Sequence, residues 1–297
     1  MGFRRKKRGK AMRKATLREL LSREQILVVP ASFDMVSGKV IEQVGFEAVY
    51  LSGYGHTASH LGLPDAGLIS FAEMVERVHH LARSVNIPVV ADGDTGFGNA
   101  INVRRTVQEY EWAGAQAIQI EDQEIPKKCG HTSGKRLIDA KEMALKVEAA
   151  VNSRQSDDFL IIARTDAVTV TGIEDAIYRG QLYEKAGADI IFVESPTTLE
   201  ELKRAGGSFK VPTMANMVEG GKTPLVSNQE LQYFGFKLVA YPVTLLLASI
   251  TAMKRALTVL KEKGTTKELV EEMIRFKELD ELIGFPEVRA WEARYSL

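Results

Sequence analysis

The chain has 297 residues, with 39 lysines and arginines balanced by 39 aspartates and glutamates, so its formal net charge at pH 7 is zero. This balance excludes the strongly basic composition of many nucleic-acid-binding proteins, and no apolar run approaches the roughly 18–20 residues that cross a bilayer. The single cysteine, Cys129, excludes an intrachain disulfide and predicts a cytoplasmic protein.

Basic residues cluster only near the N-terminus, where positions 4–10 contain six lysines and arginines. We expect residues 1–13 to form a disordered, solvated tail. No apolar segment follows these charges, so the tail does not resemble a secretory signal. We expect residues 14–297 to form a single domain, with no nucleic-acid or membrane partner.

Eight short apolar runs recur between helical patterns, at residues 26–31, 48–52, 87–92, 117–121, 159–164, 190–194, 211–216 and 238–241. Each run is continuous rather than alternating, as expected for strands buried on both faces. Eight strands alternating with helices predict an α/β fold, the (β/α)₈ or TIM barrel. A doubly wound sheet is the alternative, but no Gly-x-Gly-x-x-Gly follows the first strand.

Several helices have a predicted start in the form Ser/Thr-x-x-Glu. The pairs are Ser70 with Glu73, Thr171 with Glu174, Thr197 with Glu200, and Ser227 with Glu230. In such a capping box each side chain pairs with a free backbone N–H group at the helix start.

Helical patterns continue beyond the last strand, from about residue 243. An apolar stripe with steps of four and three is formed by Leu246, Ile250, Met253, Leu257 and Leu260. A barrel closes without this extension. We therefore expect its apolar faces to pack on neighbouring copies, in a homotetramer whose C-terminal helices are exchanged between subunits.

Polar residues stand at the ends of nearly all the predicted strands. They are Tyr50, Ser52, Asp92, Asp94, Glu121, Asp122, Arg164, Asp166, Glu194, Asn216 and Tyr241. In TIM barrels the C-terminal ends of the strands form the active site. A single residue of this set has a simple alternative as a loop residue or a structural ion pair. The whole set at one barrel mouth predicts a site.

The acidic members of this set predict a metal site. Asp92 and Asp94 are two residues apart at a strand end, so they project to the same side, and their repulsion favours a cation between them. Together with Glu121 they supply oxygen ligands that suit Mg²⁺ or Mn²⁺. For Asp-Gly-Asp alone, a surface turn is the alternative. Because Arg164 suits a carboxylate, the predicted ligand is a small, metal-chelating anion with more than one carboxylate.

The segment 127–135, Lys-Lys-Cys-Gly-His-Thr-Ser-Gly-Lys, follows the fourth strand. Lysines and a histidine around Cys129 predict a lowered thiol pKa and an accessible thiolate. The glycines predict a mobile lid that closes over the substrate. Buried packing of the cysteine, or metal ligation by Cys129 and His131, is the alternative.

These motifs resemble those of the isocitrate lyase/phosphoenolpyruvate mutase superfamily. The resemblance rests on Asp-Gly-Asp-Thr-Gly-x-Gly at 92–98, Lys-Lys-Cys-Gly-His at 127–131, Ala-Arg-Thr-Asp-Ala at 163–167, Leu-Gly-Leu-Pro-Asp at 61–65, and the segments 215–217 and 219–224. Its carbon–carbon lyase branch is the most similar, namely the 2-methylisocitrate, 2,3-dimethylmalate and petal-death-type lyases. The phosphonomutase branch typically lacks the lid cysteine.

The resemblance implies a role for each matching position. Asp92 would be the most direct metal ligand, with Asp94, Glu121 and Asp65 holding the ion's waters. Tyr50, Ser52 and Gly53 would bind the 2-oxoacid end, with Tyr50 as one candidate base. Arg164, Glu194 and Asn216 would orient the substrate. Lys127, Cys129 and His131 would lie on the gating loop, with Cys129 as the general acid.

Two further positions bear on substrate choice within this resemblance. Tyr54 stands where methylisocitrate lyases tend to have glycine, and Pro242 stands where oxaloacetate hydrolases tend to have serine. The implied activity is cleavage of a 2-hydroxy di- or tricarboxylate into a 2-oxoacid and a second carboxylate, with Mg²⁺ or Mn²⁺. The alternatives are oxaloacetate decarboxylase or hydrolase, a carboxyphosphonoenolpyruvate-type phosphonomutase, or a non-catalytic oligomeric binding protein.

Overall fold

A computed structural model describes residues 15–295 of the chain. Its eight strands form one closed, wholly parallel barrel in which neighbours in sequence are neighbours in space and β8 pairs with β1. The strands are β1 Leu27–Ser32, β2 Val49–Leu51, β3 Val89–Asp92, β4 Ala117–Glu121, β5 Leu160–Thr165, β6 Ile190–Val193, β7 Thr213–Asn216 and β8 Leu238–Tyr241. The predicted (β/α)₈ barrel is confirmed. The predicted basic tail at 1–13 lies outside the described residues.

Twelve α-helices occur in the described chain. They are α1 Leu17–Leu21, α2 Met35–Val44, α3 Gly53–Leu61, α4 Phe71–Ser84, α5 Ala100–Ala113, α6 Ala140–Ser153, α7 Ile173–Lys185, α8 Leu199–Gly207, α9 Asn228–Tyr233, α10 Thr244–Lys263, α11 Phe276–Ile283 and α12 Phe285–Tyr295. Short 3₁₀ helices span Ala167–Thr169 and Lys267–Glu272. In residues 15–295, no helix is both long enough and apolar enough to span a membrane.

One cluster of apolar side chains fills the barrel interior, and it includes Leu160, Ile162 and Phe192. Leu17 and Leu20 of α1 join this cluster, so α1 closes the N-terminal end of the barrel. A second, larger cluster lies between the strands and the surrounding helices. Burial on both faces explains why the strands read as continuous apolar runs.

Two of the four predicted capping boxes are confirmed. Ser70 and Ser227 accept hydrogen bonds from the third residue of their helices and receive the reciprocal contact from glutamate. The other two are wrong by one residue. Helix α7 begins after Gly172 and α8 after Thr198, because Thr171 and Thr197 hydrogen-bond with Asp175 and Glu201 instead.

The C-terminal extension leaves an apolar surface open. Leu246 is buried, whereas Met253 is 53% exposed and Leu257 is 64% exposed. Neither α11 nor α12 contains a buried residue. The extension therefore presents apolar side chains without covering them in a single copy of the chain.

Candidate active site

A cavity of about 270 Å³ opens at the C-terminal ends of the barrel strands. Its wall comes from all parts of the chain, namely Tyr50, Ser52, Tyr54, Asp65, Asp92, Gln119, Cys129, Gly130, His131, Thr132, Arg164, Phe192, Glu194, Met214, Asn216, Val218, Glu219, Gly220, Gly221, Pro242, Val243 and Leu247. This is the face on which a TIM barrel carries its active site.

The barrel register brings the predicted acidic and basic residues together. Asp92 at the end of β3 pairs in register with Gln119, and Glu121 at the end of β4 pairs with Arg164. All four side chains are buried. Residues distant in sequence thus share one edge of the closed sheet.

Asp92 is held by three donors. Its Oδ1 accepts hydrogen bonds from the Asp94 amide at 3.0 Å and from Gln119 Nε2 at 3.2 Å, and its Oδ2 accepts one from the Gly53 amide at 3.3 Å. Burial, and then the charge of Asp94, raise the pKa of Asp92 to about 6. Gly93 is required between the two aspartates, because a Cβ there would lie 2.8 Å from the Gln119 carbonyl oxygen.

Lys127 belongs to the cysteine loop, residues 127–135, and enters the acidic cluster formed by Asp65, Asp92, Asp94 and Glu121. Its Nζ lies 2.5 Å from Asp65 Oδ1 and 2.6 Å from Asp94 Oδ1, and both carboxylates are almost fully buried. Burial alone lowers the pKa of Lys127, but Asp94 and Asp65 hold it well above its usual range. This ammonium group therefore stays charged and links the loop to the end of β3.

Arg164 is oriented by a carboxylate two residues away. Asp166 accepts from Arg164 Nε and Nη2, both at 3.0 Å, which leaves Nη1 3.2 Å from Glu121 Oε2. Burial raises the pKa of Asp166, but Arg164 and Lys135 together lower it to about 2. The pair is therefore fully ionised, and the guanidinium plane is fixed by two hydrogen bonds.

A second carboxylate holds Asp166 from behind. Asp122 Oδ1 accepts from the Asp166 amide at 2.9 Å, and its Oδ2 accepts from Thr165 and Tyr183, both at 2.8 Å. Asp122, a member of the strand-end set, thus supports the site without lining the cavity.

The cysteine loop lies closed over the cavity. His131 Nδ1 accepts from the Lys222 amide at 2.9 Å, and its Nε2 lies 3.0 Å from Glu194 Oε1. Glu194 in turn accepts from Asn216 Nδ2 at 3.2 and 3.3 Å. These contacts join the loop to β6, β7 and the segment that follows β7.

Gly130 places the backbone of this loop close against the barrel wall. A Cβ added there would overlap Arg164 Nη2 and Glu194 Oε1. Only glycine allows the backbone to approach the charged wall so closely.

Cys129 is half-buried and lines the cavity beside Gly130. The prediction of a lowered thiol pKa is wrong, because burial raises the pKa of Cys129, and the positive charges of the loop are directed elsewhere. Lys127 pairs with carboxylates, and His131 contacts Glu194. The cysteine is consequently a protonated thiol at neutral pH, which suits an acid rather than a nucleophile.

Tyr50 is also protonated. Its hydroxyl donates to Gln119 Oε1 at 2.8 Å, and burial, followed by the charge of Asp92, raises its pKa well above the usual value. A neutral phenol donates hydrogen bonds, so this geometry favours Tyr50 as a donor over its predicted role as a base.

The buried carboxylates fit a cation. In the described chain, the Oε1 atom of Glu121 is buried without a hydrogen-bond partner, and burial raises the pKa of this carboxyl well above its usual range. Within residues 15–295, however, no three His, Cys, Asp or Glu side chains converge closely enough to enclose a metal ion. The arrangement therefore fits one direct ligand with further carboxylates acting through water, and not a closed protein cage.

Comparison with known proteins agrees with this geometry. A family model described as phosphoenolpyruvate phosphomutase matches residues 17–261. The chain belongs to this family. It is 48% identical over 282 residues to a 2,3-dimethylmalate lyase of Eubacterium barkeri, covering 95% of this chain and 98% of that protein. It is 46% identical over 280 residues to a 2-methylisocitrate lyase of Aeropyrum pernix, covering 94% and 90%.

The solved structure of a similar protein also superposes closely on this chain. The crystal structure of a phosphonopyruvate hydrolase in complex with oxalate and Mg²⁺ matches with a TM-score of 0.84 and 33% identity, covering 94% of this chain and 97% of that one. Membership of the phosphoenolpyruvate mutase/isocitrate lyase superfamily, expected from the motifs, is thereby confirmed.

Four of the predicted site residues do not line the cavity. Gly53, Asp94, Glu121 and Lys127 lie behind the wall and contact the residues that do. Sequence reasoning missed Gln119, which bridges Tyr50 and Asp92. Its signal was present, since a glutamine interrupts the apolar run of β4 two residues before Glu121 and on the same face.

The closed position of the loop can be tested at Gly130. In Gly130→Ala the added methyl group overpacks the loop against Arg164 and Glu194. Overpacking costs about 1–3 kcal/mol, which favours an open loop roughly 5- to 150-fold. Since Cys129 is the single cysteine of the chain, its rate of alkylation by iodoacetamide should rise accordingly.

The matched control is Gly207→Ala, because a Cβ at that position meets no atom within 4 Å. Its alkylation rate should equal that of the parent protein. An unchanged rate in a folded Gly130→Ala variant would contradict the close approach of the loop.

Proposed function

We propose that this protein is a divalent-metal-dependent carbon–carbon lyase that cleaves a small, alkyl-bearing 2-hydroxy dicarboxylate of the 2,3-dimethylmalate type. The products would be a 2-oxoacid such as pyruvate and a second carboxylate such as propionate. The observation that carries the proposal is a protonated thiol, Cys129, lining the same cavity as Asp92 and Arg164. The two lyases similar to this chain support the reaction class. A metabolic enzyme with a single cysteine also supports the expected cytoplasmic location.

The size and lining of the cavity favour a small dicarboxylate over a tricarboxylate. At about 270 Å³ it falls just below the range of drug-sized ligand sites. Among the described residues, Arg164 is the only Lys or Arg side chain in its wall, and the imidazole of His131 already contacts Glu194. Apolar side chains, including Phe192, Met214 and Leu247, supply surface for alkyl substituents. A third substrate carboxylate, as in 2-methylisocitrate, would have no further cation in this wall.

Asp92 is the residue we propose as the direct metal ligand, for Mg²⁺ or Mn²⁺. It lines the cavity, whereas Asp94 and Glu121 lie behind it and would hold the ion's waters, together with Asp65. The bound ion would act as a Lewis acid toward the substrate's 2-hydroxyl group and lower its pKa. The Mg²⁺ and oxalate complex of the similar phosphonopyruvate hydrolase supports this choice of ion.

Different residues of the chain would then bind the two ends of the substrate. Ser52 and the Tyr50 hydroxyl, which line the cavity, would bind the end that becomes the 2-oxoacid, while the Gly53 amide holds Asp92 behind them. Arg164, fixed by Asp166, would bind the carboxylate of the other fragment, with Asn216 beside it.

Cleavage would break the bond between carbons 2 and 3. The electron pair of that bond would go to carbon 3, and a carbonyl would form at carbon 2. The 2-hydroxyl proton would pass through water to the acidic cluster, where burial raises the pKa of Glu121 and favours its protonation. The Cys129 thiol then delivers its proton to carbon 3, and the closed loop excludes water. His131 and Lys127 would hold the loop in position through Glu194 and the acidic cluster.

A turnover screen tests the reaction class. The purified protein with Mg²⁺ is incubated with 2,3-dimethylmalate, 2-methylisocitrate, oxaloacetate or phosphonopyruvate, and products are identified by NMR. Pyruvate with propionate, and weaker formation of pyruvate with succinate, supports the proposal. Turnover confined to oxaloacetate or phosphonopyruvate contradicts it. Binding of these acids without turnover favours the non-catalytic alternative.

Replacement of the proposed acid should separate binding from chemistry. Cys129→Ser should retain the fold and substrate binding but lose roughly 10²–10⁴-fold in kcat, because a serine hydroxyl is a much weaker acid. Steady-state kinetics with the best substrate of the screen give this ratio. Ser133→Ala, an exposed change in the same loop, should keep parent kinetics. Parent turnover in Cys129→Ser would remove the cysteine from the mechanism.

Metal affinity should depend on pH with a defined sign. A proton on Asp92, whose pKa burial and Asp94 raise to about 6, competes with the cation. Affinity for Mg²⁺ should therefore be constant above about pH 6 and fall by roughly tenfold per pH unit below it. Isothermal titration of the metal-free protein measures this dependence.

Asp92→Asn should abolish the titrating component and most of the binding. The exposed change Asp158→Asn is the matched control and should bind as the parent does. The test values pH 5 and pH 7 lie roughly one unit on either side of the expected midpoint of this pH dependence. Equal Mg²⁺ affinity at both would contradict Asp92 as the ligand.

We also propose that the open apolar surface of the C-terminal extension packs on other copies, giving a homotetramer with exchanged C-terminal helices. Exposed side chains support it: Met253, Leu257 and Phe276 are 53%, 64% and 80% exposed in one copy. A monomer would leave this contiguous apolar stripe in water, which soluble monomers rarely do.

A lysine placed on this stripe should weaken assembly. Leu257→Lys would bury a charge against apolar side chains, which proteins tolerate poorly. Light scattering coupled to size exclusion should show a mass below that of the parent oligomer. Thr258→Lys introduces the same charge at the next, exposed position and should assemble normally. A monomeric parent protein would refute the assembly.

A further inference from the structure

Lys135 is a buried lysine that the proposed chemistry does not use. Its side chain is 1% exposed, although Gly134 and Arg136 on either side of it are exposed. Its Nζ donates to the Gly130 carbonyl oxygen and, at 3.0 Å, to Asp166 Oδ1. Burying an ammonium group is costly unless it is paired, so these two partners account for its position.

The first partner belongs to the segment that carries Cys129. Gly130 follows the cysteine directly, and its carbonyl oxygen also accepts from Ser195 Oγ at 3.1 Å. Lys135 thus fixes the backbone next to the thiol from within the loop, while Ser195 fixes it from the end of β6.

The second partner holds Arg164. Asp166 Oδ1 accepts from both Lys135 Nζ and Arg164 Nη2, each at 3.0 Å. The same ammonium group therefore joins the loop backbone to the carboxylate that orients the guanidinium group. Asp122 keeps this carboxylate in place through the Asp166 amide.

A second lysine of the same loop provides a contrast. Lys128 is exposed, and its Nζ donates to the Gly134 carbonyl oxygen, at 2.9 Å, within the loop itself. Lys128 therefore stabilises the loop, whereas Lys135 connects the loop to the barrel wall.

We propose that Lys135 is a positioning residue that couples closure of the Cys129 loop to the orientation of Arg164. When the loop closes, one ammonium group completes the contacts of Gly130 and Asp166 together. When the loop opens, Asp166 loses the ammonium group of Lys135, which is one of its two cations. The carboxylate that orients Arg164 is then held less firmly. The thiol and the guanidinium group are thus brought into position in one event.

Alkylation of Cys129 tests the first half of this coupling without any substrate. In Lys135→Met and Lys135→Gln the charge-assisted bond to Gly130 is lost, so the loop should open more often and the iodoacetamide rate should rise roughly tenfold or more. Lys128→Met is the matched control and should react within roughly twofold of the parent. Circular dichroism confirms that each variant is folded.

Lys135→Gln keeps an N–H donor for Asp166, so it remains informative if Lys135→Met fails to fold. Parent alkylation rates in a folded Lys135→Gln variant would overturn the proposal. So would a rise of equal size in Lys128→Met, because the effect would then be a general loosening of the loop.

Steady-state kinetics test the second half and rest on the proposed lyase function. With the substrate found in the turnover screen, Lys135→Met should show a higher KM, from a misoriented Arg164, together with a lower kcat, from a displaced Cys129. Lys135→Gln should show the same fall in kcat but a smaller rise in KM, because it keeps an N–H donor for Asp166. A purely structural role would lower the amount of active enzyme and leave KM unchanged, which would overturn the coupling. If no substrate is turned over by the parent protein, the lyase proposal fails, while the alkylation rates still decide the role of Lys135 in closure.

Discussion

The site depends on the compensation of buried negative charge. Asp92, Asp94, Glu121 and Asp65 lie at the C-terminal ends of β3 and β4 or beside them, where water cannot stabilise four carboxylates. Raised pKa values for Asp92 and Glu121 express this cost directly. Cations must therefore be supplied. The chain provides Lys127 and Arg164, and a divalent ion would add to them.

This requirement explains why the cysteine loop is part of the site and not only its cover. Lys127 reaches the acidic cluster, His131 reaches Glu194, and Lys135 reaches Asp166. Each contact joins a hydrogen-bond donor of the loop to a carboxylate at a strand end or just beyond it. We propose that closure of the loop completes the electrostatics of the cavity in the same step that brings Cys129 into its wall, and the glycine at 130 permits the close approach.

The protonation states follow from this arrangement. The positive charges of the loop are used to neutralise carboxylates, so little positive field remains at the Cys129 thiol, and burial raises its pKa. The lysines and the histidine that neighbour Cys129 in the linear sequence predict the opposite shift, a lowered pKa of the thiol. The raised pKa strengthens the acid role that the motif implied, for a different physical reason.

The sequence by itself determined the barrel, because eight strands buried on both faces must appear as continuous apolar runs, and all eight were found within two residues of their ends. It also determined six strand-end residues of the cavity wall, since strand ends of a closed parallel barrel converge whatever the details of packing. They are Tyr50, Ser52, Asp92, Arg164, Glu194 and Asn216. Register and side-chain pairing required the tertiary structure. Gln119 bridges Tyr50 to Asp92, Asp122 supports Asp166, and Lys135 is buried although Lys128 of the same loop is exposed. These roles depend on which groups share a small volume with little water, and the local sequence does not specify which groups those are.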